Sequence, residues 1–267
     1  MAVVTISRDL GSGGREVGKI LAEGTGYRFL DHAGILAAIK AEGNKGQKWI
    51  EGLDERSPRL WEKYDWSYRA SISLMQSTIL DAAAAGKVII IGRGGNYLLE
   101  GISFVLRVRV VAPPDVRIAR VAERESIDPD SARWLVGKTD RERAGFLHAV
   151  YGRNGTDPAD YDVVFDAGTM PLDQIVVSIK ALLTEKDRLQ EESSLRVLQM
   201  KALAAKVKAH LLAVLPFFMP TLDVDSDEKS IRIWGIVRLP RERELVEKEA
   251  KMAAGGTPIR FELRYRQ

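Results

Sequence analysis

A glycine-rich segment between a short apolar run and a helical pattern is the part of the sequence best suited to chemistry. It reads Leu10-Gly-Ser-Gly-Gly14 and is followed directly by Arg15. Glycines let successive backbone N–H groups turn toward one point, and the N-terminus of the next helix adds partial positive charge. The segment therefore predicts a phosphate-binding loop, with a tight structural turn as the alternative. The candidate phosphate ligands are Gly11, Ser12, Gly13, Gly14, Arg15 and Glu16.

The segment matches only half of the phosphate-loop pattern GxxxxGK[ST]. Gly14 and Arg15 take the Gly-Lys positions, but Asp9 stands at the first glycine and Glu16 at the Ser/Thr. Arginine can place positive charge on phosphates, although as a planar fork rather than a point charge. Position 16 lacks the hydroxyl that helps to hold Mg²⁺. We therefore expect no dedicated metal site, with Mg²⁺ held through the nucleotide phosphates and water, or through water by Asp9 or Glu16.

Two further charged residues follow predicted strands. Arg93 comes after the apolar run Val88–Ile91, and Asp31 closes the run Tyr27–Leu30. Ligands of open α/β sheets bind at the carboxyl ends of the strands, and a phosphate dianion favours a bidentate arginine. Both residues are therefore candidates for binding a phosphorylated acceptor. The alternatives are a surface turn for Arg93 and a helix cap for Asp31.

A set of arginines farther along the chain could close over a transferred phosphoryl group. Arg117, Arg120 and Arg124 recur at helical spacing and share one predicted face, and Arg141 and Arg143 follow. Phosphoryl transfer commonly uses mobile arginines that close over the transferred group and neutralise its charge. Because acidic residues are interspersed among them, a salt-bridged solvent-exposed face remains the alternative.

The order of predicted elements places these residues on an α/β fold. Short apolar runs alternate with helical patterns, which indicates a doubly wound, mainly parallel sheet of five strands. The predicted strands are Val3–Ile6, Tyr27–Leu30, Val88–Ile91, Phe104–Val111 and Tyr161–Phe165. The predicted helices are Arg15–Glu23, Tyr68–Ala85, Val116–Arg124, Asp130–Tyr151 and Leu172–Leu183.

The first two thirds of the chain resemble the cytidylate kinase-like family. The opening Thr5-Ile-Ser-Arg-Asp-Leu-Gly-Ser-Gly-Gly-Arg-Glu-Val-Gly18, with Tyr27-Arg-Phe-Leu-Asp31 after it, is similar to the family's first strand and loop. Val88-Ile-Ile-Ile-Gly-Arg-Gly-Gly-Asn96 is similar to its central strand and the turn after it. Lys138-Thr-Asp-Arg-Glu-Arg143 and Tyr161-Asp-Val-Val-Phe165 are similar to its lid and last strand.

This resemblance implies an ATP-dependent phosphotransferase acting on a nucleoside monophosphate or a related small phosphate acceptor. It implies Arg15, Arg120 and Arg141 as catalytic residues, and Asp31, Arg93 and Arg143 as acceptor ligands. In the lid, Glu142 and Gly145 stand where the family has Asp and Arg. The aromatic segment Gln47–Trp66 lies where the family's acceptor domain would lie, and its aromatic residues would either stack on a base or, more commonly, pack a small helical insert. A non-catalytic nucleotide sensor and an adaptor without nucleotide binding are the alternatives.

A polar stretch after Thr184 predicts a boundary between two domains. We expect a kinase-like domain over residues 1–186, a helical linker over 187–197 and a small αββαβ domain over 198–267. The last region resembles a BON-type module in its element order and in the Trp-Gly pair at 234–235. That resemblance leaves open homodimerisation, ligand or membrane-surface contact and a purely structural role.

Composition excludes several kinds of site. The 267 residues contain no cysteine and three histidines, so disulfides, thiolate chemistry and a histidine-rich metal centre are not expected. A net charge of +3 without a basic block gives no reason to expect a nucleic-acid partner. No run approaches a membrane span, and no leader pattern opens the sequence. The expectation is a soluble, cytoplasmic protein.

Overall fold

The computed structural model describes residues 2–41, 58 and 65–266. The chain divides into two compact units. Within the described residues, the first unit comprises 2–34, 58 and 85–190, and the second comprises 35–41, 65–84 and 191–266. The domain boundaries at 186/187 and 197/198 remain a prediction, and most of the aromatic segment Gln47–Trp66 lies outside the described residues.

A five-stranded parallel sheet forms the centre of the first unit, in the order β2-β3-β1-β4-β5. β1 lies in the middle because its side chains are apolar on both faces, and Val3, Val4 and Ile6 have no exposed surface. The sheet confirms the predicted α/β class. The strands are β1 (Val3–Arg8), β2 (Arg28–Leu30), β3 (Val88–Ile91), β4 (Val105–Val111) and β5 (Val163–Asp166).

Helices pack against this sheet, and one apolar core cluster of the unit contains side chains of β1, β3, β4 and β5. α1 follows the glycine-rich segment and ends at Thr25, and the next residue, Gly26, has a φ of 70°, the left-handed conformation common after a helix. The helices that lie wholly within this unit are α1 (Gly14–Thr25), α4 (Gly95–Leu98), α5 (Pro114–Glu125), α6 (Pro129–Tyr151) and α7 (Leu172–Arg188), with a 3₁₀ turn at Pro158–Asp160.

Two helices lie between β2 and β3: α2 (His32–Ala41) and α3 (Trp66–Ala85). Sequence periodicity predicted α3 but missed α2, because its glycine and alanine content gives a weak apolar pattern. The first turn of α2 belongs to the first unit and the rest of α2 to the second. The short helix α4 was also missed, since its sequence continues the glycine-rich turn at 92–95.

The second unit contains a three-stranded sheet in the order β6-β7-β8. β6 and β7 are antiparallel, whereas β7 and β8 are parallel. Helix α3 is part of this unit: Ala70 belongs to its core, and Arg69 donates to the carbonyls of Pro220 and Leu222, each at 2.7 Å. The remaining elements are α8 (Glu192–Val214), β6 (Asp223–Ser226), β7 (Ile231–Val237), α9 (Pro240–Ala254) and β8 (Ile259–Tyr265).

The predicted linker at 187–197 contains a break in helix. α7 ends at Arg188 and α8 begins at Glu192. No helix in the described ranges, 2–41 and 65–266, is both long and apolar enough to cross a bilayer.

Candidate functional site

The loop between β1 and α1 is shaped by its glycines. Gly11 and Gly13 have φ values of 80° and 85°, a region that costs other residues free energy. A Cβ on Gly11 would lie 2.6 Å from the Arg117 carbonyl oxygen. The first helical donor is the Val17 N–H, which bonds the Gly13 carbonyl at 2.9 Å. The preceding N–H groups at the helix N-terminus are therefore available to an anion.

Arginines of α5 hold this loop in place. Arg117 donates to the Leu10 carbonyl at 3.1 Å and to Asp140 at 2.6 Å, and Asp140 accepts the Leu10 N–H at 3.0 Å. Arg120 donates to the carbonyls of Ser12 at 3.4 Å and Ala167 at 2.9 Å. The predicted shared face of α5 thus contacts the loop backbone. Arg120 thus contacts the loop backbone and lies beside it, and its catalytic role remains a prediction.

The polar side chains of the loop have protein partners of their own. Ser12 is fully buried, and its hydroxyl donates to the Asp9 carbonyl at 3.0 Å. Asp9 pairs with Arg109 at 2.8 Å, and Glu16 lies 4.0 Å from Arg124. Among the described residues, no three acidic or histidine side chains converge on a position that would hold a metal ion. That Mg²⁺ is held through nucleotide phosphates and water remains a prediction.

Arg15 is bound by Asp31 at the end of β2. Asp31 Oδ2 accepts from Arg15 Nη2 at 2.5 Å and from Nε at 3.2 Å, and the Arg15 side chain is 49% exposed. Asp31 Oδ1 accepts the Gly34 N–H at 3.0 Å, so Asp31 also caps α2. Burial alone would raise the pKa of Asp31, but these hydrogen bonds and the charge of Arg15 together lower it below its ordinary value. The structure thus joins two predicted site residues in one ion pair.

A cavity of about 110 Å³ lies at the carboxyl edge of the sheet, beside the glycine loop. Its charged lining consists of four arginines and two aspartates, so positive charge is in excess. Ser7, Asn154 and Thr156 add polar groups, while Phe146 and Leu147 form an apolar wall. The lining arginines are Arg8, Arg93, Arg109 and Arg143, and the aspartates are Asp9 and Asp140. The cavity contains Arg93 and Arg143 of the predicted acceptor ligands, but not Asp31.

Arg93 is the most buried of these arginines, with 3% of its surface exposed. Its φ is 57°, its carbonyl accepts the Tyr151 hydroxyl at 2.8 Å, and its guanidinium lies 5.7 Å from the centroid of the Phe146 ring. Nη2 contacts Nδ1 of His32, the first residue of α2. The backbone and the side chain are therefore both fixed, which argues against a simple surface turn.

A second cavity, of about 260 Å³, lies on the other side of the loop. It is formed by Gly11, Gly13, Glu16, Arg120, Glu123, Arg124 and Leu172. Arg141 lines neither cavity, and it is exposed on α6. The structure thus brings the loop, Arg93 and Arg143 to one edge of the sheet. Arg120 contacts the loop backbone from α5, and Arg141 lies outside both cavities.

Several residues of the site escaped sequence reasoning. Arg8 and Arg109 lie within strands, where a charged residue gives no motif, and Asp140 is one of the acidic residues interspersed among the predicted lid arginines. His32 lies beyond the predicted strand and has no recognisable pattern around it. A usable signal was the arginine at the end of β1, since a charge closing a fully buried strand must lie at its edge.

The glycine-rich loop thus joins a central strand of a parallel sheet to a helix, and arginines converge at the same edge of that sheet. Residues 3–169 match the model of the Cytidylate kinase-like family, and the chain belongs to this family.

Two relatives and one solved structure show how far the likeness extends. The cytidylate kinase of Methanopyrus kandleri is 27% identical over 187 residues, covering 67% of this chain and 91% of the relative. That of Methanosarcina mazei is 28% identical over 188 residues, covering 67% and 97%. The crystal structure of an uncharacterized protein from Eubacterium ventriosum has a TM-score of 0.55 at 19% identity, covering 69% of this chain and 99% of that one. The last similarity shows the fold alone.

Proposed function

We propose that this protein transfers a phosphoryl group from ATP to a nucleoside monophosphate, cytidylate-like, or to a related small phosphate acceptor. The observation that supports this most is the arginine-lined cavity beside the glycine loop. An acceptor phosphate is a dianion at neutral pH, and the cavity's four arginines exceed its two aspartates by two charges. The net charge of these side chains is thus opposite to that of one phosphate dianion and equal in size, and arginine binds phosphate oxygens in bidentate pairs.

The donor phosphates would lie on the loop at the α1 N-terminus. Backbone N–H groups and the helix dipole favour anions there. The second cavity, on the far side of the loop, has room for the nucleoside part of the donor, with Arg120 and Arg124 on its wall. Mg²⁺ bound to the phosphates would supply charge neutralisation, and this chain's contribution is to hold the loop that positions them.

The reaction then needs positioning more than proton transfer. A phosphate oxygen of the acceptor is already a nucleophile, so no general base is required. Arg93 and Arg143 would hold the acceptor phosphate, and Arg15 would leave Asp31 to contact the transferred group. Charge neutralisation of that group is the main catalytic contribution in this chemistry. Arg141 is exposed on α6, and its role as a residue that closes over the transferred group remains a prediction.

Cytidylate is the first acceptor to test, because this chain matches cytidylate kinases over more than nine tenths of their length. Glu142 and Gly145 replace the lid residues expected for that specificity. The test is transfer from ATP with Mg²⁺ to a panel of nucleoside monophosphates and small non-nucleotide phosphates. Wild type is compared with Arg143→Ala and with Arg133→Ala, an exposed arginine of the same helix.

Transfer to one acceptor, strongly reduced in Arg143→Ala but retained in Arg133→Ala, is the expected result. ATP binding without transfer to any acceptor would contradict the proposal and favour a nucleotide sensor. Thermal shift measures the binding, since a ligand at about 100 times its dissociation constant stabilises by ~2.7 kcal/mol.

The second unit is proposed as a BON-like module. Its helix-strand-strand-helix-strand order and its three-stranded sheet support this. The family match ends at residue 169, so it leaves this unit unassigned. A homodimer contact through this unit and a cytoplasmic location stay predictions. Light scattering of the full chain tests the first, and a monomer at all concentrations would contradict it.

A further inference from the structure

His32 is the feature of this site that the proposed function does not use. It is the first residue of α2, and its Nδ1 atom contacts Nη2 of Arg93 inside the first unit. Arg93 is buried and lines the cavity, whereas His32 is absent from the lining. The imidazole thus contacts an arginine of the cavity without being one of the cavity's lining residues.

The chemistry of the two groups fixes the direction of this hydrogen bond. A guanidinium has N–H donors and no acceptor, and it stays protonated in proteins. His32 Nδ1 must therefore be the acceptor, which requires a neutral ring with its proton on Nε2. This bond orients Arg93 without cancelling its charge. A carboxylate at position 32 would orient the arginine equally well but would neutralise it.

We propose that His32 is a positioning residue that holds Arg93 ready for the acceptor's phosphate. A free arginine side chain loses rotamer entropy when it is fixed, and a preformed contact removes that cost from the binding step. The proposal deepens the proposed function and rests on it. In this proposal His32 acts on acceptor binding through its contact with Arg93.

Three substitutions separate this role from simple packing. In His32→Asn, Oδ1 stands where Nδ1 was and can accept from Arg93; in His32→Gln, Oε1 stands near the position of Nε2 instead. His32→Phe keeps the ring volume without any acceptor. We expect Gln and Phe to raise the acceptor KM by about tenfold with kcat and the ATP KM within about twofold, and Asn to restore the KM to within about threefold.

Binding of inorganic phosphate tests the same contact without turnover. Calorimetry should show weaker phosphate binding to His32→Phe and His32→Gln than to wild type, with His32→Asn close to wild type. Equal binding by all four proteins, or equal loss in all three variants, would overturn the proposal. If wild type binds phosphate in this pattern but phosphorylates no acceptor, the proposed function fails while the orienting role of His32 stands.

The tautomer gives an independent readout. The chain has three histidines, so a long-range ¹H–¹⁵N spectrum of ¹⁵N-histidine protein contains three rings, and His32→Asn identifies the missing one. We expect an unprotonated Nδ1 and a protonated Nε2 for His32 at neutral pH. A protonated Nδ1 would overturn the proposal, because the hydrogen bond from Arg93 could not then exist.

Discussion

Arg93 and Arg15 each bond a residue at the start of α2, and the two contacts differ in burial and charge. Arg93 is 3% exposed and bonds the neutral ring of His32. The Arg15 side chain is 49% exposed and forms an ion pair with Asp31. Consecutive residues of the chain therefore hold two arginines of the site, one through a neutral acceptor and the other through a carboxylate.

The difference separates a preformed site from a releasable one. A bond to a neutral acceptor leaves the arginine's charge for an anion, and burial strengthens its attraction to that anion. An exposed ion pair is worth only about 0–1 kcal/mol, so a phosphate can compete with Asp31 for Arg15. We therefore expect Arg93 to contribute to binding from the outset, and Arg15 to contribute once it has left its partner.

The largest effect should come from Arg93→Met. Removing the guanidinium deletes the most buried positive charge of the cavity and the donor to His32. We expect kcat/KM for the acceptor to fall by about 100-fold or more, comparable with loss of one buried donor to a reacting group. The ATP KM should change little. Steady-state kinetics with Arg133→Met as the control measures both, and an equal fall in the control would break the comparison.

Arg15→Gln should separate turnover from stability. Because the side chain is half exposed, we expect the free energy of unfolding to change by less than about 1 kcal/mol. If Arg15 moves to the transferred group, kcat should fall by roughly tenfold or more. Urea unfolding and initial rates measure the two quantities. An unchanged kcat would show that the ion pair with Asp31 is the whole role of Arg15.

The glycine-rich loop that precedes Arg15 can be tested by a matched pair of glycine substitutions. Gly11→Ala and Gly26→Ala both place a Cβ at positive φ, but only the Cβ on Gly11 meets an atom, the Arg117 carbonyl at 2.6 Å. We expect Gly26→Ala to cost on the order of 1 kcal/mol and Gly11→Ala to cost about 1–3 kcal/mol more. ATP should also no longer raise the melting temperature of Gly11→Ala. If ATP still raised it, the phosphates would bind elsewhere.

The smallest effect concerns the pH dependence of Asp31. Its pKa is lowered in the folded protein, so its charge contributes stability above the unfolded pKa of about 3.9, and this contribution is lost as pH falls through the folded pKa. Asp31→Asn keeps an acceptor for the Gly34 N–H but lacks the charge. Urea midpoints should therefore differ between the two proteins at neutral pH and converge in acid. A difference between the two urea midpoints that does not change with pH would contradict this account.

The fold was predictable wherever one apolar pattern decided it. β3 has the predicted bounds, because Val88–Ile91 is a clear apolar run that a glycine-rich turn follows directly. α2 was missed because its helix depends on the Asp31 cap and on tertiary burial of Ile35 and Ile39, which no local periodicity shows. Propensity gives way to packing in such segments.

The site was predictable in its backbone and only partly in its side chains. The glycines of the loop and Arg93 at a strand end follow from local patterns. The inclusion of Arg8 and Arg109 depends on strand register, and the pairing of Arg93 with His32 joins residues 61 positions apart. Such contacts depend on three-dimensional placement, which a single sequence shows only through a family resemblance.

The most direct test of the arginine cavity compares the accepted nucleotide with its nucleoside, which lacks the phosphate. Calorimetry gives the affinity of each for wild type and for Arg93→Met. If Arg93 binds the acceptor's phosphate, wild type should prefer the nucleotide by about 30-fold or more, and the variant should reduce that preference to within about threefold. An undiminished preference in Arg93→Met would show that the phosphate binds elsewhere and would contradict the account.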